Sequence, residues 1–330
     1  MKEEDIRPEN LFNEYLLLAE RDVETYFRNA PYYYTPCPAC GKTGSRFAFR
    51  KMGFDYEECG DCGTLFANPR PHADSFNRYY EDSPSVRFWA THFYKETEAS
   101  RRERLIKPKA ALVREYIERY STLPKDNGCV LDIGSGYGTF CEELQALIPQ
   151  IPVVGVEPAL GLQEICRQKN IPVVPKRLEE VMVEDCLGRD IVAATSFELL
   201  EHLHDPDAFI STCSGLQSPG SLLIMTTLTW DGFDLQVLRE HSNSIHPPHH
   251  INFFTKESIS LLLRKHHYRI CEITTPGKLD VDIVAKNLDN VHDPFVRKIV
   301  TGDDTLKQRF QEFLQKAGLS SHMMVVAERV

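Results

Sequence analysis

From residue 129 onward, short apolar runs alternate with amphipathic stretches in a regular rhythm. Strands are predicted at 129–134, 152–157, 172–175, 190–197, 221–227, 269–275 and 322–329, where apolar residues run together between turn residues, as buried strands require. Helices are predicted near 139–148, 160–169, 206–216 and 256–266, where apolar positions recur at helical spacing. Asp205-Pro206 marks a helix start, since the carboxylate can cap free backbone N–H groups and proline at the first helical position loses no hydrogen bond. Strands and helices in this alternation predict an α/β fold with a doubly wound, seven-stranded sheet. Residues 277–318 are too long for a hairpin between the last two strands and predict a helical insert, with Leu306, Phe310, Phe313 and Leu314 as its apolar stripe.

The first third has a different texture. Leu11, Phe12, Tyr15, Leu16, Ala19, Val23, Tyr26 and Phe27 fall at helical spacing and predict an amphipathic helix over 8–29. Pro31, Pro36 and Pro38 then interrupt regular structure, and residues 37–66 carry short strand-like runs around Phe47-Ala48-Phe49 and Asp55-Tyr56-Glu57. A connector rich in Pro, Asn, Tyr and Asp follows. Leu105, Ile106, Val113, Tyr116, Ile117 and Tyr120 then suit a helix leading into the main domain, with Pro108 near its start or at a kink. Two units are expected, residues 1–84 and residues 85–330.

Composition narrows the class. Of the 330 residues, 42% are hydrophobic and 26% charged, which is ordinary for a globular protein. No apolar run reaches the roughly 18 residues of a membrane span. The start, Met1-Lys2-Glu3-Glu4-Asp5, lacks the basic and apolar regions of a secretion signal. A net charge of −10 makes nucleic acid an unlikely partner. Six of the ten cysteines (Cys129, Cys141, Cys166, Cys186, Cys213 and Cys271) sit singly in apolar surroundings, as small buried hydrophobes do in a reducing compartment. A cytoplasmic location is expected, and no residue pattern sets an oligomeric state.

The other four cysteines form Cys37-x2-Cys40-x18-Cys59-x2-Cys62, with Gly41 and Gly63 after the two pairs. Two intervening residues let both sulfurs of a pair reach one tetrahedral ion, and the glycines permit the tight knuckle. Redox-active pairs are the rival reading. A zinc ribbon with four thiolates and no open coordination position is expected, so its zinc is structural.

The chemistry concentrates around Val130-Leu131-Asp132-Ile133-Gly134-Ser135-Gly136-Tyr137-Gly138. An apolar strand here enters a turn whose glycines let the backbone approach a ligand closely. A second apolar run ends in Glu157-Pro158, a carboxylate placed to accept from ribose hydroxyls. Dinucleotide folds use G-x-G-x-x-G, but Thr139 stands at the last position, leaving G-x-G-x-G. A NAD(P)-dependent oxidoreductase therefore ranks last.

That pattern, with Asp132 two residues ahead, resembles motif I of the class I S-adenosylmethionine (SAM)-dependent methyltransferases. The resemblance covers about 105–330. Arg189 to Pro206 is similar to the family's fourth-strand motif, and Ser218-Pro219-Gly220-Ser221 to its turn into the fifth strand. It implies a Rossmann-like methyltransferase sheet with SAM as cofactor. Asp132, Gly134, Ser135, Gly136 and Gly138 would lie around the methionine portion, and Glu157-Pro158 at the ribose. Leu178 or Glu179 would lie beside the adenine, with Ser196 and Phe197 facing the cofactor.

Four histidines crowd into His241 to His250, after the fifth predicted strand. Histidine titrates near neutral pH, so His249, His250 or His246 is a candidate general base or acceptor ligand. Glu198, Glu201 and His202 at spacing i, i+3, i+4 would share one face of a helical turn. The E-x-x-E-H string is similar to that of ubiquinone-biosynthesis O-methyltransferases and small-RNA 2′-O-methyltransferases, which implies a second, divalent metal on Glu198, Glu201, His202 and His249 or His250. A metal-free, structural Glu201 is the alternative.

The ribbon, the Ala67-Asn68-Pro69-Arg70-Pro71 connector and Asn252-Phe253-Phe254-Thr255 resemble enzymes that methylate nucleotide-linked sugars or polysaccharide precursors. The expected partner is thus a small-molecule acceptor, with Arg101, Arg102, Arg104 and Lys107 as cations for a phosphorylated one, unless they form a solvated helix face. An RNA methyltransferase with a ribbon-assisted grip and a non-catalytic adaptor are the rival readings. Oxygen, carbon and nitrogen stay open as the methylated atom.

Overall fold

The computed structural model describes residues 3–330. Seven strands form the main sheet: β1 (Gly128–Ile133), β2 (Val153–Val156), β3 (Val173–Val174), β4 (Asp190–Phe197), β5 (Leu222–Leu228), β6 (Tyr268–Thr274) and β7 (His322–Arg329). Their spatial order is β6-β7-β5-β4-β1-β2-β3. Strands β1 to β5 run parallel, while β7 pairs antiparallel with both β5 and β6. Helices cover both faces, as a sheet apolar on both sides demands. Cys129, Leu131 and Ile133 face the layer built from Phe209, Ile210 and Leu262, and Val130 faces the layer of Val113, Ile117 and Leu144. Strand order reverses between β1 and β4, so their carboxyl ends leave a crevice that adjoining connections do not fill.

Each predicted strand and helix of this domain is present within two residues of its expected bounds. Asp205 Oδ1 accepts from the Ala208 N–H at 3.0 Å, as its position before Pro206 predicted. The 277–318 insert contains helices Asp280–Lys286, Pro294–Val300 and Asp304–Lys316. Its expected apolar stripe is half realised. Leu314 is buried and Phe310 packs on Phe233, but Leu306 and Phe313 are exposed, because the last helix has a neighbour along only part of its length.

The N-terminal helix spans Glu9–Tyr26, and the strands Ser45–Lys51, Phe54–Cys59 and Leu65–Ala67 form the ribbon. The ribbon sheet takes its fourth strand, Asn252–Phe253, from beyond β5, with Phe253 opposite Leu65 and Asn252 opposite Phe66. Phe253 and Ile251 share one core with Phe27, Phe54, Tyr56 and Tyr79.

The connector expected up to residue 104 is instead helical. Helix Ala73–Asp82 is followed by an unbroken helical run over 84–120, begun by Pro84 with Ser83 as its cap. Two stretches of this run, Trp89–Phe93 and Arg102–Ile106, have π-type turns. Each wide turn takes in an extra residue and shifts the apolar phase, so the 3.6-residue pattern is hidden in the sequence. The second lies just before Pro108, whose ring would clash with the carbonyl four residues earlier in a regular helix.

Because Phe253 is fully buried at the join between ribbon and main domain, Phe253→Ala is expected to cost about 3–5 kcal/mol of stability, measured by denaturant unfolding.

Candidate active site

The crevice at the β1 end is shaped by backbone conformation. Gly134, Gly136 and Gly138 all adopt left-handed φ values, of 77°, 55° and 68°. Gly138 caps the helix Thr139–Leu147 with a φ that side-chain-bearing residues rarely adopt, and a Cβ there would lie 2.4 Å from Ile171 Cδ1, which would have to shift. A Cβ on Gly136 would meet nothing within 4 Å, and Gly134 is exposed; the loop thus faces open space on its ligand side. Glu157, buried at the end of β2, accepts from the Gly136 N–H and the Ala159 N–H, each at 2.9 Å. Burial raises its carboxyl above the usual range, a shift that the two N–H groups only partly offset.

Asp132, one residue before the end of β1, is almost fully buried. Its Oδ1 accepts from Thr195 Oγ1 at 2.7 Å and its Oδ2 from the Cys141 thiol at 3.4 Å. Burial raises its pKa to about 6. Ser135 is buried, Pro158 is exposed at the crevice rim, and Phe197 packs edge-on against Phe140 at 4.7 Å. Ser196 Oγ is buried without a hydrogen-bond partner among the described residues. Leu178 packs in the core with Phe209, while Glu179 is exposed on the same short turn.

Beyond the crevice, the structure redraws the expected carboxylate–histidine group. Residues 198–202 do not form a helical turn. Glu198 has a left-handed φ of 51°, and only Leu200–His202 is helical, as one 3-10 turn. The reversal swings Glu198 away from Glu201: its Oε1 accepts from Thr226 Oγ1 at 2.6 Å and contacts His322 Nε2 at 2.8 Å. Burial opposes ionisation of Glu198, but His322, Lys109 and Thr226 together hold its carboxyl well below the usual range.

Glu201, His202 and His250 each offer a ligand atom, and these atoms lie within 4.8 Å of one another. His249 is turned elsewhere, with Nε2 2.6 Å from the Tyr79 hydroxyl. Of the expected second metal set, Glu198 and His249 are thus outside the cluster and His250 is inside it. Glu201 is buried, with Oε2 accepting from Thr227 Oγ1 at 2.8 Å, and burial together with the Glu198 charge raises its pKa to about 8. His250 Nδ1 donates to the Ser244 carbonyl at 2.6 Å, which fixes the tautomer and leaves Nε2 with a free lone pair. Burial, reinforced by neighbouring imidazoles, lowers His202 and His249 well below the usual range. His246, tilted against the Tyr15 ring with Nε2 unpartnered among the described residues, is lowered to about 3 by burial. These rings are neutral, as ligands and bases must be.

Two residues that sequence reasoning passed over hold this group in place. Asn252 Nδ2 donates to the Leu203 carbonyl at 2.8 Å, and the buried Arg70 donates to Asn252 Oδ1 at 2.7 Å and to the His204 carbonyl. The strings Pro69-Arg70-Pro71 and Asn252-Phe253-Phe254 were the visible signal, without their partner. Of the expected cations, Arg102 pairs with Glu142 and Glu143, Lys107 with Glu103, and Arg104 with Asp5, while Arg101 pairs with no carboxylate among the described residues.

The cysteine quartet closes as expected: all four sulfurs lie within 4.8 Å of one another, with Cys37–Cys62 at 3.5 Å and Cys40–Cys59 at 3.6 Å. A tetrahedral ion with 2.3 Å bonds needs sulfurs roughly 3.8 Å apart, so the donor set fits one metal.

A family model described as a methyltransferase domain matches residues 101–273, just over half of the chain. The chain belongs to this family. With its glycine loop, Glu157 and sheet order, it is a class I SAM-dependent methyltransferase. It is 32% identical over 115 residues to the ubiquinone biosynthesis O-methyltransferase of Rhodopseudomonas palustris (strain BisB18), covering 33% of this chain and 44% of that protein. It is 31% identical over 127 residues to the enzyme of the same name from Xanthomonas axonopodis pv. citri (strain 306), covering 37% and 52%. The matched stretch therefore spans about half the length of these relatives. Similar solved structures include the plantazolicin methyltransferase BpumL in complex with SAH (14% identity, TM-score 0.49, 77% of this chain and 93% of that one). Another is an O-methyltransferase from a trans-AT PKS multienzyme of Brevibacillus brevis with S-adenosyl-L-homocysteine (15%, TM-score 0.45, 72% and 77%). Among the described residues, no helix of the methyltransferase is long and apolar enough to cross a membrane.

The burial of Asp132 has a pH consequence. Its carboxyl is raised from an ordinary 3.8 to about 6, so the protonated form favours the folded state. That contribution is complete below pH 3.8 and is lost as pH rises through about 6. In the ligand-free protein, the stability of the wild type relative to Asp132→Asn is expected to fall by about 3 kcal/mol across that window, measured by chemical unfolding at a series of pH values.

Proposed function

We propose that this methyltransferase moves the methyl group of SAM to an oxygen of a small-molecule acceptor. The reading rests above all on the convergence of Glu201, His202 and His250 at the carboxyl end of β4, one strand away from the glycine loop. The loop fits SAM on two observations: it leaves ligand-side space at Gly136, and Ser196 Oγ is a buried hydroxyl waiting for a partner. Glu157 would hold the ribose, with Asp132 and Gly134 to Gly138 around the methionine portion. When bound, SAM supplies a methyl carbon on a positively charged sulfur, already open to attack.

The chain's own task is then to place the nucleophile and take its proton. Holding the acceptor in line supplies much of the acceleration. His250 Nε2, with its tautomer fixed by Ser244, is the general base for an acceptor hydroxyl or a ligand to a divalent cation shared with Glu201 and His202. Oxygen is favoured as the methylated atom by the curated relatives, which are named as O-methyltransferases. The acceptor class we carry forward is a sugar or nucleotide-linked sugar, on the sequence resemblance. Nucleic acid fits poorly with a net charge of −10. We assign one structural zinc to Cys37, Cys40, Cys59 and Cys62, and place the domain boundary near residue 84.

Calorimetry with S-adenosylhomocysteine (SAH) tests the cofactor assignment. Wild type should bind it, and Glu157→Ala should weaken binding about tenfold or more through lost charge-assisted hydrogen bonds, with Glu157→Gln as the shape-preserving control. No binding to the folded wild type defeats the reading. Turnover is followed as SAH release with a panel of sugars, nucleotide-linked sugars and catechols. His250→Ala is expected to lower kcat about a hundredfold or more. Stripping loosely bound metal, with the ribbon zinc retained, should abolish turnover and Mg2+ or Mn2+ should restore it; turnover surviving that treatment assigns His250 to base catalysis alone.

A further inference from the structure

A second cavity, of about 270 Å3, opens between the 84–120 helical run, the N-terminal segment at Ile6 and Arg7, and residues 276–283. Glu198, Leu228, His322 and Met324 lie along its sheet side. Its charge is lopsided: Arg7, Arg101, Arg104, Lys109 and Lys278 face only Glu198 and Asp280.

Both carboxylates are occupied. Glu198 is taken by Thr226 and His322, and Asp280 accepts from Ser320, Ser321 and Gln311. Arg7 has Glu3 at 3.3 Å and Arg104 has Asp5 at 3.1 Å. Arg101 and Lys109 have no ion pair or hydrogen bond among the described residues. Each rests on an aromatic face, Arg101 5.6 Å from the Tyr94 centroid and Lys109 4.3 Å from that of Phe197. A ring face steadies a cation but leaves its charge intact. Burial lowers the pKa of both groups; Arg7 adds to this at Arg101 and Arg101 at Lys109, while the Glu198 charge pulls both back up. Glu198 is the carboxylate nearest in effect to both cations, but it is already engaged by His322 and Thr226, so the cavity keeps an excess of positive charge that an incoming anion would meet.

We infer that this cavity receives the acceptor by an anionic group, phosphate or carboxylate, seated between Arg101 and Lys109. Calling the occupant the acceptor rests on the methyl-transfer reading; the anion site itself does not. The location is apt. Tyr94, which carries Arg101, stacks on Tyr137 of the glycine loop at 4.2 Å, and Lys109 covers the Phe197 end of β4. An acceptor anchored there by its charge would extend its uncharged part along the strand ends toward the crevice. The forked guanidinium suits either oxyanion, and the ammonium adds a second point of charge.

The test is titration of inorganic phosphate and, separately, acetate into the full-length protein, with and without saturating SAH, read by calorimetry. Wild type should bind phosphate saturably. Arg101→Gln and Lys109→Gln should each weaken it about tenfold or more, Arg101→Lys and Lys109→Arg by less, while SAH affinity stays within about twofold. Binding of acetate at the same site marks a carboxylate-tolerant pocket, and phosphate binding alone marks a phosphate site. Absence of saturable binding by both anions, or phosphate affinity unchanged in both glutamine variants, overturns the inference. So does a tenfold loss of SAH affinity in those variants with phosphate binding intact, which would assign the two cations to the cofactor's own carboxylate. Phosphate binding that depends on Arg101 and Lys109 in a wild type unable to bind SAH upholds the anion site and defeats the methyl-transfer reading instead.

Discussion

One buried knot ties the two halves of this molecule together. Asn252 pairs with the ribbon through its backbone and, through its side chain, grips the Leu203 carbonyl while receiving the Arg70 guanidinium. Arg70, itself fully buried, reaches the His204 carbonyl from the N-terminal side. The loop bearing Glu201 and His202 is therefore held from three directions: its own strand, the segment after β5, and the N-terminal unit. A buried guanidinium is tolerated only when its donors are met, so this contact specifies one arrangement and penalises others. The ribbon acts as a brace for this end of the sheet, and its cysteines pack into the same core as Leu200, Phe254 and Ile259.

The crevice shows a complementary division of labour. Its β1–β2 side is set by backbone: left-handed glycines and a carboxylate engaged with N–H groups. Its β4–β5 side is set by side chains drawn from distant segments, with Tyr15 of the first helix packed on His246 and His249. The helical run over 84–120 roofs both sides and is clamped to the helix after the glycine loop by Arg102, Glu98, Glu142, Glu143 and Lys169.

What the sequence could reveal followed locality. Strand positions, the glycine turn, the Asp205 cap and the cysteine spacing each depend on neighbours within a few residues, and all were legible. The reversed backbone at Glu198 was not, because it is held by a Thr226 carbonyl and by His322, far along the chain. The choice of His250 over His249 likewise turns on the Ser244 carbonyl and the Tyr79 hydroxyl, contacts that only the fold assembles. The cations repeat the lesson: Lys107 finds Glu103 one turn away, but Arg102 and Arg104 are paired by Glu142, Glu143 and Asp5 from other elements, and only the fold shows that Arg101 has no such partner among the described residues.

The widened turn at Arg102–Ile106 bears on how this surface could have arisen. Arg101 and Lys109 are eight residues apart, a spacing that in a regular helix separates them by about 80° of azimuth. Absorbing one residue in the wide turn brings the interval back to that of seven, within about 20° of alignment, so both cations look into the same hollow. The irregularity behaves as a vernier between two stretches of helix, and a one-residue insertion or loss there would redirect a charge by roughly a quarter turn.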